Sequence, residues 1–99
     1  MKTSELIEKI ENFEPVDGNW LAFEGLLERV FASGEPQKFY PAIFAVFERN
    51  KEDDGEGVFW SAVHGMEAVG GYEEMLVSRQ SKIPTLMGSI MLRRIENAK

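Results

Sequence analysis

Between its proline and glycine breaks, this chain repeats apolar residues at three- and four-residue intervals and never alternates them for long. Leu6, Ile7, Ile10 and Phe13 keep that spacing, as do Trp20, Phe23, Leu26, Leu27, Val30 and Phe31. Val58, Phe59, Ala62, Val63, Met66 and Val69 repeat it, and so do Met87, Ile90, Met91 and Ile95. A 3.6-residue period gathers such side chains on one helical face, whereas a half-buried strand needs a period of two. The pattern therefore predicts an all-α protein of five or six helices.

The breaks set the expected boundaries. Thr3 or Ser4 caps a first helix, and Pro15 ends it, because the residue before proline avoids helical angles. Pro15–Gly18 reads as a turn. Asp17 or Asn19 then caps a second helix from Trp20 to Ala32, with Ser33-Gly34 as its stop. A third spans Lys38–Asn50, with Pro41 in its first turn, where a missing N–H costs little. Phe39, Ile43, Phe44, Val46 and Phe47 spread around most of its circumference, which marks it as a central helix flanked on two or more sides. Val58–Val69 forms a fourth helix, broken by Gly70-Gly71. Tyr72–Gln80 forms a fifth. Thr85 caps a last helix to Asn97, with Arg93, Arg94 and Lys99 at the end the helix dipole favours for cations.

Loops of about three to seven residues suit antiparallel hairpins in a compact bundle or a short HEAT-like array. Trp20–Asn50 and Val58–Gln80 are loosely similar helix-turn-helix units of that kind. Glycine inside a helix costs about 1 kcal/mol relative to alanine. Gly25, Gly65 and Gly88 are therefore expected where helices approach closely, unless Gly65 leaves room for a partner beside His64.

The bulk numbers narrow the function. Ninety-nine residues make one domain, 1–99. Without cysteine there is no disulfide, thiolate metal site or cysteine nucleophile, a composition that fits a reducing cytoplasm. No apolar run is long enough for a membrane span or a signal peptide. The net charge of −6 argues against nucleic-acid binding, which needs a basic face. The charge is also uneven. Acids dominate the first 35 residues and 51–77, and bases dominate 78–99. An acidic side speeds association with a basic partner, and it also simply keeps a small protein in solution.

Chemistry concentrates in Glu52–Glu67. The acidic loop Glu52-Asp53-Asp54-Gly55-Glu56 leads into the fourth helix, where Trp60, His64 and Glu67 share the face opposite the apolar one. A large aromatic there needs a cover, either a second layer of the protein or a partner. The loop fails the spacing of a calcium-binding EF-hand, because Gly57, Val58, Phe59 and Trp60 follow where oxygen ligands belong. It reads either as a solvated cap or as the charged rim of a contact surface anchored by Trp60. Ser61, His64 and Glu67 make a superficial triad row, but no oxyanion-hole glycine motif surrounds the serine. A single histidine without cysteine gives no zinc site, and no phosphate loop or dinucleotide fingerprint is present. His64 is thus either a packed neighbour of Trp60 or an interface residue. Arg79, Lys82, Arg93 and Arg94 form a modest basic end suited to pairing with the acidic helices. No cofactor, metal or catalytic residue is expected.

The stretch Gly57–Leu76 with its preceding loop resembles small helical immunity proteins of bacterial polymorphic-toxin systems. The resemblance rests on Asp54, Gly55, Gly57, Val58, Trp60, Ser61, Val63, His64 and Glu67, with Met66 standing where leucine is expected. In the first half it extends only to helix layout and Trp20-Leu21. It implies a cytoplasmic protein that neutralises one cognate toxin domain without performing chemistry. Asp53, Asp54, Glu56, Trp60, His64 and Glu67 are then the expected contact surface. The rival expectation is a non-enzymatic helical adaptor or a homo-oligomerising module.

Overall fold

A computed structural model describes residues 2–98, so Lys99 lies outside the described residues. Six α-helices follow one another: α1 (Thr3–Glu11), α2 (Leu21–Ala32), α3 (Tyr40–Arg49), α4 (Phe59–Val69), α5 (Glu73–Lys82) and α6 (Leu86–Asn97). Two short 3-10 helices, Pro36–Phe39 and Gly55–Gly57, lead into α3 and α4. The fold is all-α, as the periodicity predicts.

Most boundaries fall within two residues of expectation. Thr85 caps α6 through its side chain, its Oγ1 accepting from the Gly88 N–H at 2.9 Å. Pro41 occupies the first turn of α3. The α1–α2 connection turns at Val16–Asn19, one residue later than expected. Asp17 and Gly18 both take positive φ there, and the Asn19 N–H donates to the Val16 carbonyl at 2.9 Å. This is the pattern of a type I′ turn, for which Asp-Gly is a favoured pair. Asn19 then steadies the start of α2, its Oδ1 accepting from the Leu21 N–H at 2.9 Å.

The start of α1 differs from expectation. Lys2 occupies the cap position, with no side-chain hydrogen bond. Thr3 instead donates to Glu35 at 2.6 Å, tying the start of α1 to the α2–α3 connection. That partner lies 32 residues away, so local spacing carried no sign of it.

Helix α3 is central, as its all-round apolar surface predicts, and packs against α1, α5 and α6. Arg49 at its end donates to the Ile10 carbonyl of α1, and Arg79 of α5 pairs with its Glu48 at 2.9 Å. Helix α4 packs chiefly against α2 and α6. The closest sequential pairs are α1–α2 and α5–α6, so neither of the two HEAT-like units closes as a tight hairpin on itself. The arrangement is a compact bundle.

An aromatic cluster fixes one end of the core. Trp20 is buried and meets Phe23 and Phe59 edge-on, with ring centroids 5.7 and 4.8 Å apart. Phe13 and Phe47 close the cluster against Trp20 and Phe59. Edge-to-face pairs of this kind contribute about 0.5–1.5 kcal/mol beyond the area they bury.

The three helical glycines divide. A Cβ on Gly65 would enter the Phe31 ring, and one on Gly88 would collide with Gln80 and Thr85. Both fill the close-approach role. Gly65 thus admits Phe31 of α2, and the room beside His64 is already taken on that side. Gly25 is exposed with open space around it, and nothing in the structure explains it.

Candidate functional site

The six expected contact residues fall into two groups at different parts of α4. The first is the loop before the helix. Gly55 is buried there at φ +60°, and a Cβ on it would strike the Phe59 ring. The loop therefore has to be glycine at that point, for both conformation and space. Asp53 holds the turn, its Oδ1 accepting from the Gly55 N–H at 2.9 Å. This answers part of the question of why acids gather here, since Asp53 supports the backbone of its own loop. Asp54 contributes its carbonyl, which accepts from the N–H groups of Gly57 and Phe59. The Asp54 and Glu56 carboxylates are exposed and enter no ion pair or hydrogen bond among the described residues. Glu56 stands at φ 53°, one of two non-glycine residues with positive φ among the described residues; the other is Asp17.

The second group is the row on α4. Trp60 and His64 meet one turn apart with tilted rings, their centroids 5.7 Å from each other. Glu67 forms a two-bonded pair with Arg94 of α6, at 2.7 and 3.0 Å. The Arg94 guanidinium also lies 5.8 Å from the Trp60 ring centre, within the range of a cation–π contact. Hydrogen bonding to Glu67 raises the pKa of Arg94 above its already high ordinary value. Trp60 is half-buried, His64 is exposed and Glu67 is partly covered. The cover that Trp60 needs thus comes partly from the protein itself, through Arg94.

Ser61, His64 and Glu67 do not converge. The Ser61 hydroxyl donates to the Glu24 carboxylate of α2 at 2.8 Å, while Glu67 is held by Arg94. His64 lies against Trp60 and, among the described residues, bonds to neither. No group of three acidic or histidine side chains fit to hold a metal occurs among the described residues. None of the described helices is long and apolar enough to cross a membrane.

Arg94 and Glu24 were missing from the expected site. The sequence offered only the general signal that a basic end follows acidic helices. Arg79 and Arg94 do pair in that way, with Glu48 and Glu67. Beside the row, Glu67, Tyr72, Glu73, Arg94 and Ile95 line a shallow depression of about 600 Å³. Burial, with Glu67 and Glu73 nearby, pushes the Tyr72 phenol above its ordinary value. No family model matches the chain, and neither does any curated protein or solved structure.

Proposed function

We propose that this chain is an immunity protein that binds a cognate bacterial toxin domain in the cytoplasm. It neutralises the toxin by occluding its active or substrate-binding surface, and performs no chemistry of its own. The observation that carries the reading is the segment Asp54–Glu67, which resembles the motif of such proteins and whose Asp54 and Glu56 carboxylates are exposed and enter no ion pair among the described residues. Unpaired acids attract a basic partner and raise its association rate. The overall charge of −6 acts in the same direction and disfavours nucleic acid as the ligand. Within the expected contact set Asp53, Asp54, Glu56, Trp60, His64 and Glu67, the loop acids Asp54 and Glu56 carry the reading, because Arg94 already answers Glu67 and partly covers Trp60.

The test is co-expression with the C-terminal domain of a secreted protein encoded beside this chain. Restored growth and a stable complex on gel filtration are expected. A toxin domain that kills equally well with and without this chain would refute the reading.

A second reading, a homo-oligomerising or adaptor module, is favoured by the exposed Val77, Ile83 and Leu86 around the α5–α6 junction. A mass that rises with concentration in sedimentation equilibrium would support it, and a constant monomer mass would remove the homo-oligomer.

A further inference from the structure

Helices α5 and α6 form a hairpin that is closed on itself at its turn. The Gln80 side-chain amide donates to the Thr85 carbonyl at 3.1 Å and to the Ser89 hydroxyl at 2.8 Å, and its Oε1 accepts from the Thr85 N–H at 3.0 Å. The apolar hold of this hairpin on the other helices is thin. Helix α5 buries one of its ten residues, Leu76, and α6 buries Met87, Gly88 and Met91, whereas α3 buries six of ten.

Charge adds to that hold. From Ser78 onward the chain carries Arg79, Lys82, Arg93, Arg94 and Lys99 against the single acid Glu96. Of the three ion pairs among the described residues, two join the hairpin to the preceding helices. Arg79 reaches both carboxylate oxygens of Glu48 in α3, at 2.9 and 3.1 Å, and donates to the Pro41 carbonyl at 2.9 Å. Arg94 reaches both oxygens of Glu67 in α4. The Leu86 N–H donates to the Lys51 carbonyl at 2.6 Å as a further tie.

The chain enters the hairpin through Gly70 and Gly71, both in the left-handed region at φ 84° and 78°. The Gly70 carbonyl is fixed on the α3 side, accepting from the Tyr40 hydroxyl at 2.9 Å and from the Gln37 side-chain amide at 3.2 Å. Gly71 follows with no Cβ to restrict its dihedrals. One end of the connection is therefore anchored, and the other is free to turn.

We propose that the α5–α6 hairpin, hinged at Gly70-Gly71 and latched by the Arg79–Glu48 and Arg94–Glu67 pairs, opens from the α1–α4 body as a separate unit. Units that open below the free energy of global unfolding often coincide with such supersecondary pieces. Opening withdraws Arg94 from Trp60 and Glu67, while the loop before α4 stays on the Trp20–Phe59 cluster. The row on α4 thus has a covered and a bare state, and the loop has one. This opening belongs to the free protein and does not depend on the toxin reading.

Native-state amide hydrogen exchange, followed by NMR in low urea, tests it. Amides of residues 76–82 and 90–97 are expected to share one opening constant, about tenfold or more above that of the α3 amides. Ile10→Val weakens the body at a fully buried site. It is expected to speed α3 exchange severalfold and to leave hairpin exchange unchanged, because the hairpin opens with the body intact. R79Q/R94Q breaks both latches and is expected to speed hairpin exchange about tenfold. The α3 amides, which exchange through full unfolding, speed up with it. One opening constant shared by α3 and the hairpin, or Ile10→Val speeding both alike, would make the bundle a single cooperative unit and overturn the proposal. Hairpin exchange unmoved by R79Q/R94Q would overturn the latch.

Discussion

The two ends of α4 carry similar residues and use them differently. Along the row, the charge is answered within the molecule: Glu67 holds Arg94, and Arg94 covers Trp60. In the loop, the exposed Asp54 and Glu56 carboxylates enter no ion pair or hydrogen bond among the described residues. An aromatic on the polar face of a helix is therefore weaker evidence for a partner than an acid that no base answers. The first can be satisfied by a neighbouring helix, as Trp60 partly is. The second leaves its charge available to another molecule.

The largest effect that separates the two ends is on stability. Phe59 is fully buried in the aromatic cluster beneath the loop, and Phe59→Ala should cost about 3–5 kcal/mol in urea unfolding. Half-buried Trp60 should cost less when truncated, roughly 1–2 kcal/mol. Equal losses at the two positions would mean that Trp60 belongs to the core as fully as Phe59 does.

The acids should divide next. Asp53→Ala removes the acceptor for the Gly55 N–H and should cost about 0.5–1 kcal/mol, whereas Asp53→Asn keeps that acceptor and should be close to neutral. Asp54→Asn and Glu56→Gln should each stay within about 0.5 kcal/mol of wild type. A large loss at Asp54 or Glu56 would show that these carboxylates stabilise the fold and would weaken their assignment to a partner.

A smaller effect appears in alkali, on the row side. Burial raises the Tyr72 phenol above its ordinary value near 10, and the negative charges of Glu67 and Glu73 add to the shift. Burial does the same for Tyr40, whose hydroxyl donates to the Gly70 carbonyl at 2.9 Å. The folded state then keeps protons that the unfolded chain releases. The stabilisation from these phenols is fully present below the unfolded value of about 10 and is lost as the pH rises from there through the raised folded value. Tyr72→Phe should flatten part of that alkaline loss in urea midpoints measured against pH, and an unchanged slope would contradict the assignment.

The helices were legible because each buries a periodic face, and the loops because Pro15, Gly34, Pro36 and Gly70-Gly71 interrupt that period. The Thr85 cap was legible because it acts within one turn of its own helix. Long-range pairings were not. Thr3 with Glu35, Arg49 with Ile10, Ser61 with Glu24 and Arg94 over Trp60 depend on which helices meet, and periodicity gives a face without naming its neighbour. The six expected site residues were chosen for lying within one short stretch. Sequence proximity could not reveal that Asp53 supports its own turn, or that Glu56 approaches Gly18 of the α1–α2 turn.

The account turns on which end of α4 faces the partner. Titration calorimetry with the proposed cognate toxin domain at low salt tests this most directly, comparing wild type with D54N/E56Q and H64A/R94A. The account predicts that D54N/E56Q binds about tenfold more weakly or worse, while H64A/R94A stays within about threefold of wild type. Near-normal binding by D54N/E56Q, with binding lost in H64A/R94A, would contradict it.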